Sequence, residues 1–361
     1  MQGLFIALLY NLIGMAKGFK QWVFSFFLIV FIIGGIGAYT FYRFFYSHNV
    51  HLEDKSKLIY IHTGWDFDQV LTMLEDKKIV THPKSFAFVA GVKGYKDHVI
   101  PGRYRAVNGM SNTQLVNMLA SGKQEPETIS LFNIRTKYDL TGILANKIEE
   151  DSNDVVKHFN DSKYVKKFGF NTENFLAMFI PGSYSLLWTD PSDKFINQMH
   201  DNYEAFWTAE RRKDASAEGL SPMQVSILAS IVQAEQSLYN DEKKVIAGLY
   251  INRLHMGMPL QSDPTLIFAR NDFSILRVRE GDKRVESPYN TYQHTGLPPG
   301  PINMPDASSI DAVLHYDKNN YVYMCAESDF SGRHHFCKTL KEQNEYAAKY
   351  RKALNERQIT R

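Results

Sequence analysis

Gln21 to Tyr42, QWVFSFFLIVFIIGGIGAYTFY, is a run of 22 residues without a single charge. At 1.5 Å per residue a helix of that length covers about 33 Å, enough for a bilayer core of about 30 Å. Trp22 at one end, and the tyrosines and phenylalanines from Tyr39 to Tyr46 at the other, have the makeup of interfacial belts. Lys17 and Lys20 precede the run, Glu53 and Asp54 follow it, and Arg43 alone opposes that bias. The positive-inside rule therefore sets residues 1–20 in the cytoplasm, a span over 21–46, and the remainder on the far side of the membrane. The run is too long for a cleaved signal peptide and lacks a small-residue cleavage site. The first 16 residues are also apolar, which leaves open an interfacial helix or a start placed too far upstream.

A chain of 361 residues has room for two or three domains, and 44% hydrophobic against 22% charged residues is an ordinary globular balance. Forty-one basic against 39 acidic residues leave no basic footprint for nucleic acid. Cys325 and Cys337 are too few for a disulfide framework or a structural zinc site. They flank Ser331-Gly332 in a stretch with hairpin character. They either face each other across two strands or are independent buried thiols.

From Ser56 the pattern turns to short strands and amphipathic helices. Leu58–Ile61 reads as a strand, Gly64 as a turn and Phe67–Leu74 as a helix. The design recurs 45 residues on, because Gly64-x4-Gln69-Val70-x2-Met73-Leu74 matches Gly109-x4-Gln114-Leu115-x2-Met118-Leu119. A weaker third copy runs from Ile129 to Ile148. PGRYRAVNGMSNTQLVNMLASG resembles the small carbohydrate-binding LysM module, although a repeated common supersecondary unit gives the same pattern. The region assigned on this basis is 56–150. Residues 151–220 form a connecting helical region, in which Pro181-Gly182-Ser183-Tyr184 reads as a break and Ala209–Gly219 as a charged connector.

Ser221 to Leu238, SPMQVSILASIVQAEQSL, sets one carboxylate on the apolar side of a helix. Ser221 suits the N-cap, Pro222 the first turn, and Gln224 closes a capping box. With Val225 at zero, Ile231 falls at about 240°, Leu228 at about 300° and Glu235 at about 280°, whereas Gln233 lies at about 80°, at the stripe's edge. A carboxyl among aliphatic side chains is hard to ionise, so its pKa rises toward that of a general acid for neutral pH. The alternative is a glutamate at a helix end that reaches water or pairs with an arginine.

Beyond Glu235, polar groups sit between prolines and glycines: Asn252-Arg253, Gln261-Ser262-Asp263-Pro264, Tyr289-Asn290-Thr291-Tyr292 and Gly296-Leu297-Pro298-Pro299-Gly300. Proline restricts such loops, and Tyr, Asn, Gln and Arg are suited to sugar hydroxyls and amides. The runs ILASIVQAEQ, KKVIAGLYINRLHMGMPLQSDPTLIFA, SPYNTYQHTGLPPGPINMP, YVYMCAE and HHFCKTL together resemble the MltG/YceG-like endolytic murein transglycosylases. That resemblance implies an α+β chain with a membrane anchor, a LysM-like subdomain, a catalytic domain over 221–345 and a tail over 346–361. It implies cleavage of the MurNAc–GlcNAc bond of peptidoglycan strands, leaving 1,6-anhydro-MurNAc ends, with no metal or cofactor. It makes Glu235 the catalytic acid and base. Arg253, Gln261, Asp263, Tyr289, Asn290 and Tyr292 become the residues that hold the glycan, Asp263 being equally suited to cap a turn before Pro264. Penicillin-binding proteins that make nascent glycan are the implied partners.

Two positions depart from the family pattern. Relatives often carry glutamate at the position of Gln233 as well, and an Asp or Asn after the proline of Pro181–Tyr184, a change that would alter a cleft wall. The alternatives are a wall-binding scaffold without activity and a hydrolytic muramidase, which needs a second acid, Asp263 being the best placed. No H-E-x-x-H or G-x-S-x-G occurs, which argues against zinc peptidases and elbow-type serine hydrolases. His334 and His335 belong by default to a solvated hairpin.

Overall fold

The computed structural model describes residues 2–275 and 277–357, with the backbone alone for residues 2–21. The elements form a mixed α+β structure in two compact units that divide after Glu125.

The first unit opens with α1, Gln2–Phe45, one helix of 44 residues that continues through the apolar opening and the charge-free run alike. Within it Trp22–Phe45, with a mean hydropathy of 2.2, is among the described residues the one helix long and apolar enough to cross a membrane. Its side chains from Phe24 to Tyr42 are exposed. Strand β1 (Ser56–Ile61) leads to α2 (Phe67–Asp76) and α3 (Pro83–Val92), and then β2 (Gly102–Val107) pairs antiparallel with β1, Ser56 opposite Val107 and Ile61 opposite Gly102. Helix α4 (Asn112–Ala120) completes the unit.

The sequence repeat is a repeat of local chemistry. Gly64 and Gly109 take φ of +82° and +84°, which glycine adopts without strain. Two residues later Asp66 and Ser111 cap α2 and α4, each closing a reciprocal box with Gln69 or Gln114. Ile59, Ile61, Val70, Leu74, Phe86 and Leu115 bury the inner faces in one core. The amide of Asn112 donates to the Phe44 carbonyl (2.8 Å) and so ties α4 to the end of α1.

The third copy has the same form: strand β3 (Glu127–Leu131), then a Thr136–Asp139 capping box opening α5 (Lys137–Ala145). Its strand pairs, however, with β4 (Gly182–Leu186), and Ile129, Leu131, Leu140 and Leu144 join the core of the second unit. The region 56–150 therefore contains residues of both units. The Pro181–Tyr184 stretch is not a break. Pro181 precedes the ladder, where its missing N–H interrupts nothing, and Gly182 begins the strand.

Helices α6 (Ser152–Asn160), α7 (Ser162–Lys166) and α8 (Ser192–Phe206) add Val155, Phe159, Val165, Phe195 and Met199 to the same core. The charged connector is itself a helix, α9 (Ala209–Ala217), capped by Thr208. It buries Ala215 alone among its residues, so it has no apolar stripe to read. Next come α10 (Pro222–Glu235), α11 (Asn240–His255), α12 (Asp263–Arg270) and α13 (Ala307–Leu314), then the hairpin β5 (Tyr323–Ala326) and β6 (His334–Cys337), and α14 (Leu340–Glu356). The tail expected over 346–361 is the second half of α14 as far as Glu356, and residues 358–361 lie outside the described residues.

Helix α10 sits in the middle of this unit, with Val225 through Val232 all buried. Its Ser221–Gln224 capping box forms as the sequence predicts. One side is fastened by polar bonds to the segment before α13: Ile302 N donates to Ser230 Oγ (3.0 Å), and Asn303 donates to the Ser230 carbonyl (2.7 Å). Helix α11 runs close enough to the 317–319 loop that a Cβ on Gly248 would meet the Asp317 carbonyl at 2.3 Å.

Candidate active site

Glu235 is the last residue of α10, where the helix has finished with its buried stripe and points its end at the loops after α11. It is partly buried and lines a cleft of about 950 Å³, together with Tyr250, Arg253, Gln261, Asp263, Tyr292 and His334. Its Oε1 accepts two hydroxyl hydrogen bonds, from Tyr250 (2.7 Å) and from Ser262 (2.5 Å). Burial raises its pKa above the ordinary carboxylate value; the two hydroxyls and His334 pull it back, and Asp263 pushes it up.

The donors are held by a buried framework. Ser262 N donates to Thr291 Oγ1 (3.0 Å), Gln261 N donates to the Thr291 carbonyl (3.0 Å), and Thr265 Oγ1 bonds both the Ser262 carbonyl (2.7 Å) and Thr291 Oγ1 (2.8 Å). Ser262, Thr265, Asn290 and Thr291 are each no more than 2% exposed. Gln261 itself sits at φ +51°, a left-handed conformation that is uncommon outside glycine. The loop is thus stitched in place so that one hydroxyl meets one carboxylate.

Four other residues expected to hold a ligand reach the cleft, in different ways. Arg253 is buried, and its guanidinium donates to the carbonyls of Val322 (2.6 Å), Pro259 (3.2 Å) and Leu260 (2.7 Å). It braces the cleft walls with those donors. Gln261 is exposed on the rim. Asp263 opens α12 and accepts from Tyr292 Oη (2.5 Å); crowding by the walls raises its pKa while that bond lowers it. The ring of Tyr292 also carries Lys283 Nζ at 5.1 Å.

Tyr289 and Asn290 do not line the cleft. Tyr289 packs on Phe268, with ring centroids 4.8 Å apart. Asn290, fully buried, donates to the carbonyls of Lys283 (3.0 Å) and Val285 (2.8 Å) and accepts from Tyr292 N (3.0 Å). Both shape the loop that presents Tyr292. Nor does Pro181–Tyr184 form a cleft wall.

Tyr250 and Ser262 went unmarked as site residues because only the chain's return, 15 and 27 residues after Glu235, brings them to it. His334 is not in a solvated loop. Glu242, 4% exposed, accepts both its backbone N–H and its Nδ1 at 2.7 Å, and that acceptor fixes the proton on Nδ1 and leaves Nε2 for the cleft. The cysteines are both free. The register sets Cys325 opposite His335 and Cys337 opposite Tyr323, so the thiols lie diagonal to one another.

Gln233 faces away from the cleft. Its Oε1 accepts from Asp306 N (2.7 Å) and Ser309 Oγ (3.0 Å), joining α10 to α13. A glutamate oxygen would accept the same two bonds.

A second cavity, of about 840 Å³, flanks α10 and α11 and is lined by Met223, Ile227, Leu254, Leu297 and Pro298 among others.

The model of the YceG-like family matches residues 59–349. The chain belongs to this family. A curated relative named endolytic murein transglycosylase, from Bacillus subtilis, is 30% identical over 320 residues, 83% of this chain and 86% of its own. A protein of the same name from Streptococcus pneumoniae is 26% identical over 85% of this chain, which spans 61% of that protein's length. A crystal structure of a yceG-like protein from Listeria monocytogenes superposes with a TM-score of 0.55 at 26% identity, covering 81% of this chain and 98% of that one.

Proposed function

We propose that this chain is an endolytic lytic transglycosylase of peptidoglycan, with Glu235 as its single acid and base. The observation that carries the reading is the Glu235 carboxyl itself, partly buried at the wall of the cleft and held there by two hydroxyl donors. A carboxyl with a raised pKa keeps its proton toward neutral pH and can pass it to the glycosidic oxygen as the MurNAc–GlcNAc bond breaks. The carboxylate so formed is stabilised by Tyr250 and Ser262. It then takes the proton of the substrate's C6 hydroxyl, whose oxygen closes on C1 to give 1,6-anhydro-MurNAc. No water is consumed, and the carboxyl ends as it began. General acid–base transfer contributes about 10²–10⁴-fold, and holding the C6 hydroxyl near C1 supplies the remainder.

A hydrolytic muramidase needs a second carboxylate to act as nucleophile or to activate water. Asp263 is already engaged by the Tyr292 hydroxyl, which donates to its Oδ1. Arg253, Gln261, Asp263 and Tyr292 line the glycan path, with Tyr289 and Asn290 acting through the shape of the loop. Within the region 56–150, the strand–helix–helix–strand order from Ser56 to Val107 supports reading a LysM-like subdomain that retains glycan. Helix α1 is a single-pass anchor with its N-terminus in the cytoplasm and the cleft outside. Cutting nascent strands there ends their elongation, beside the penicillin-binding proteins that extend them.

The test is digestion of polymerised, uncrosslinked glycan with the full chain and with Glu235→Gln, followed by mass spectrometry of the ends. The expected products are anhydro ends from the wild type alone. Ends heavier by one water indicate the hydrolase, and no cleavage by the wild type indicates the scaffold.

A further inference from the structure

Where α1 ends, the first unit carries a recess of about 360 Å³ lined by Arg43, His48 and His82, with Ser47 and Ser85 between them and no carboxylate among its walls. Among the described residues none of the three basic side chains makes an ion pair or a side-chain hydrogen bond, which leaves their donors unassigned. The recess is nonetheless a built feature. Asn49, 2% exposed, clamps the backbone of His82 from both sides, its Oδ1 accepting His82 N (2.7 Å) and its Nδ2 donating to His82 O (3.2 Å). Asn112 holds the other wall, donating to Phe44 O (2.8 Å) and to Ser85 Oγ (3.0 Å).

Beside the recess lies an apolar ledge. Phe88 and Val92, one turn apart on α3, are 53% and 62% exposed, and Phe88 meets Phe44 edge-on at 5.7 Å between centroids. A contiguous patch of large apolar side chains left open beside an unpartnered guanidinium marks an interaction surface. At the border of a bilayer the same set is favourable, because rings sit at headgroup level and basic side chains meet phosphates. The continuity of the ledge with Phe44 and Tyr46, at the end of the apolar helix, puts it at that border.

We propose that this recess binds the phosphate headgroup of an anionic membrane lipid, with Phe88 and Val92 resting among its acyl chains. The inference rests on the reading of α1 as a membrane span. It makes the first unit lie on the membrane surface in addition to being tethered to it. Arg43 is the principal phosphate ligand, since a guanidinium presents two parallel donors to the phosphate oxygens. His48 and His82 close over the group from the unit's side.

The full chain, purified in detergent, is exposed to equal amounts of phosphatidylglycerol and phosphatidylcholine, and the retained lipid is read by native mass spectrometry. The expected result is preferential retention of phosphatidylglycerol, reduced about fivefold by Arg43→Gln, which removes one cation, and further by Arg43→Gln with His82→Gln. Phe88→Ser weakens retention of both lipids. Glycan cleavage in detergent by the same variants stays at the wild-type rate, which shows that they are folded. Equal retention of the two lipids, or a preference that survives Arg43→Gln, overturns the proposal. Displacement of the lipid by millimolar inorganic phosphate also overturns it, in favour of a free-phosphate site. Carbonate washing of native membranes separates this failure from that of the span: a chain that washes off defeats both readings, whereas one that stays but shows no lipid preference defeats the headgroup site alone.

Discussion

Two cavities of similar size flank the same pair of helices, and they differ in everything but volume. The cleft of about 950 Å³ at the C-terminal end of α10 gathers a carboxyl, two hydroxyl donors, a bracing guanidinium and a histidine. The cavity of about 840 Å³ at the N-terminal half of α10 is walled chiefly by Met223, Ile227, Leu254, Leu297 and Pro298, with Asn174 and Glu218 at its edge. Space alone therefore does not distinguish a reaction site here. What distinguishes it is a titratable group kept from water and a loop held in an unfavourable conformation so as to reach it. The second cavity is an open recess in which apolar walls meet polar residues at the edge; the first is organised around one oxygen atom.

The contrast breaks most sharply at Glu235. Glu235→Gln keeps an oxygen for Tyr250 and Ser262, so the fold should persist while turnover drops by about 10²–10⁴-fold or more in a glycan-release assay. Because burial holds the native pKa above the unfolded value, ionisation weakens the folded state. The stabilising contribution is whole below the unfolded pKa, near the model-compound value of 4.5, and is lost as pH rises through the native one. Wild type and Glu235→Gln should accordingly melt together in acid and diverge above it, with the variant more stable at neutral pH; calorimetry across that range checks the sign. Activity of the wild type should fall along the same rising limb, since the working acid must hold its proton.

Next in size is Arg253→Ala, which strips the donors from three wall carbonyls, that of Leu260 being buried. The expected loss is about 3 kcal/mol in chemical denaturation, with activity falling alongside it as the Pro259–Gln261 wall loosens. Ser262→Ala removes a donor to the charged carboxylate. With such a bond worth about 1.5–3 kcal/mol, the basic limb of the pH–rate profile should move up by about one to two units. A profile that stays put would separate Ser262 from the acid's pKa. In the second cavity, Ile227→Val should cost about 0.5–1.5 kcal/mol of stability and leave turnover alone. A change in turnover there would dissolve the distinction between the two cavities. Smallest of all is Gln233→Glu, whose oxygen accepts the same bonds from Asp306 and Ser309; turnover within about threefold of wild type is expected.

Much of this was legible in the chain because it is local. The Ser221–Gln224 cap, the two glycine turns with their capped helices, and the phase that turns Glu235 and Gln233 to different sides all depend on residues within a few positions of one another. The rest depends on return paths. Nothing near residue 130 announces that β3 will pair with a strand some fifty residues later, so by sequence the third repeat groups with the first two. Polar loop residues posed the opposite difficulty: an asparagine suited to a sugar hydroxyl is equally suited to a carbonyl of its own loop, and Asn290 does the latter. His334 reads as solvated from the sequence because the buried Glu242 that grips it lies 92 positions earlier, on another element.

The left-handed backbone at Gln261 sets an opposition between robustness and reactivity in one residue. Glycine there would relax the main chain, yet it would also let the neighbouring serine wander among conformers, only one of which meets the acid. A lineage selected for heat tolerance and a lineage selected for speed should part company at this position, the first loosening the kink and the second preserving it.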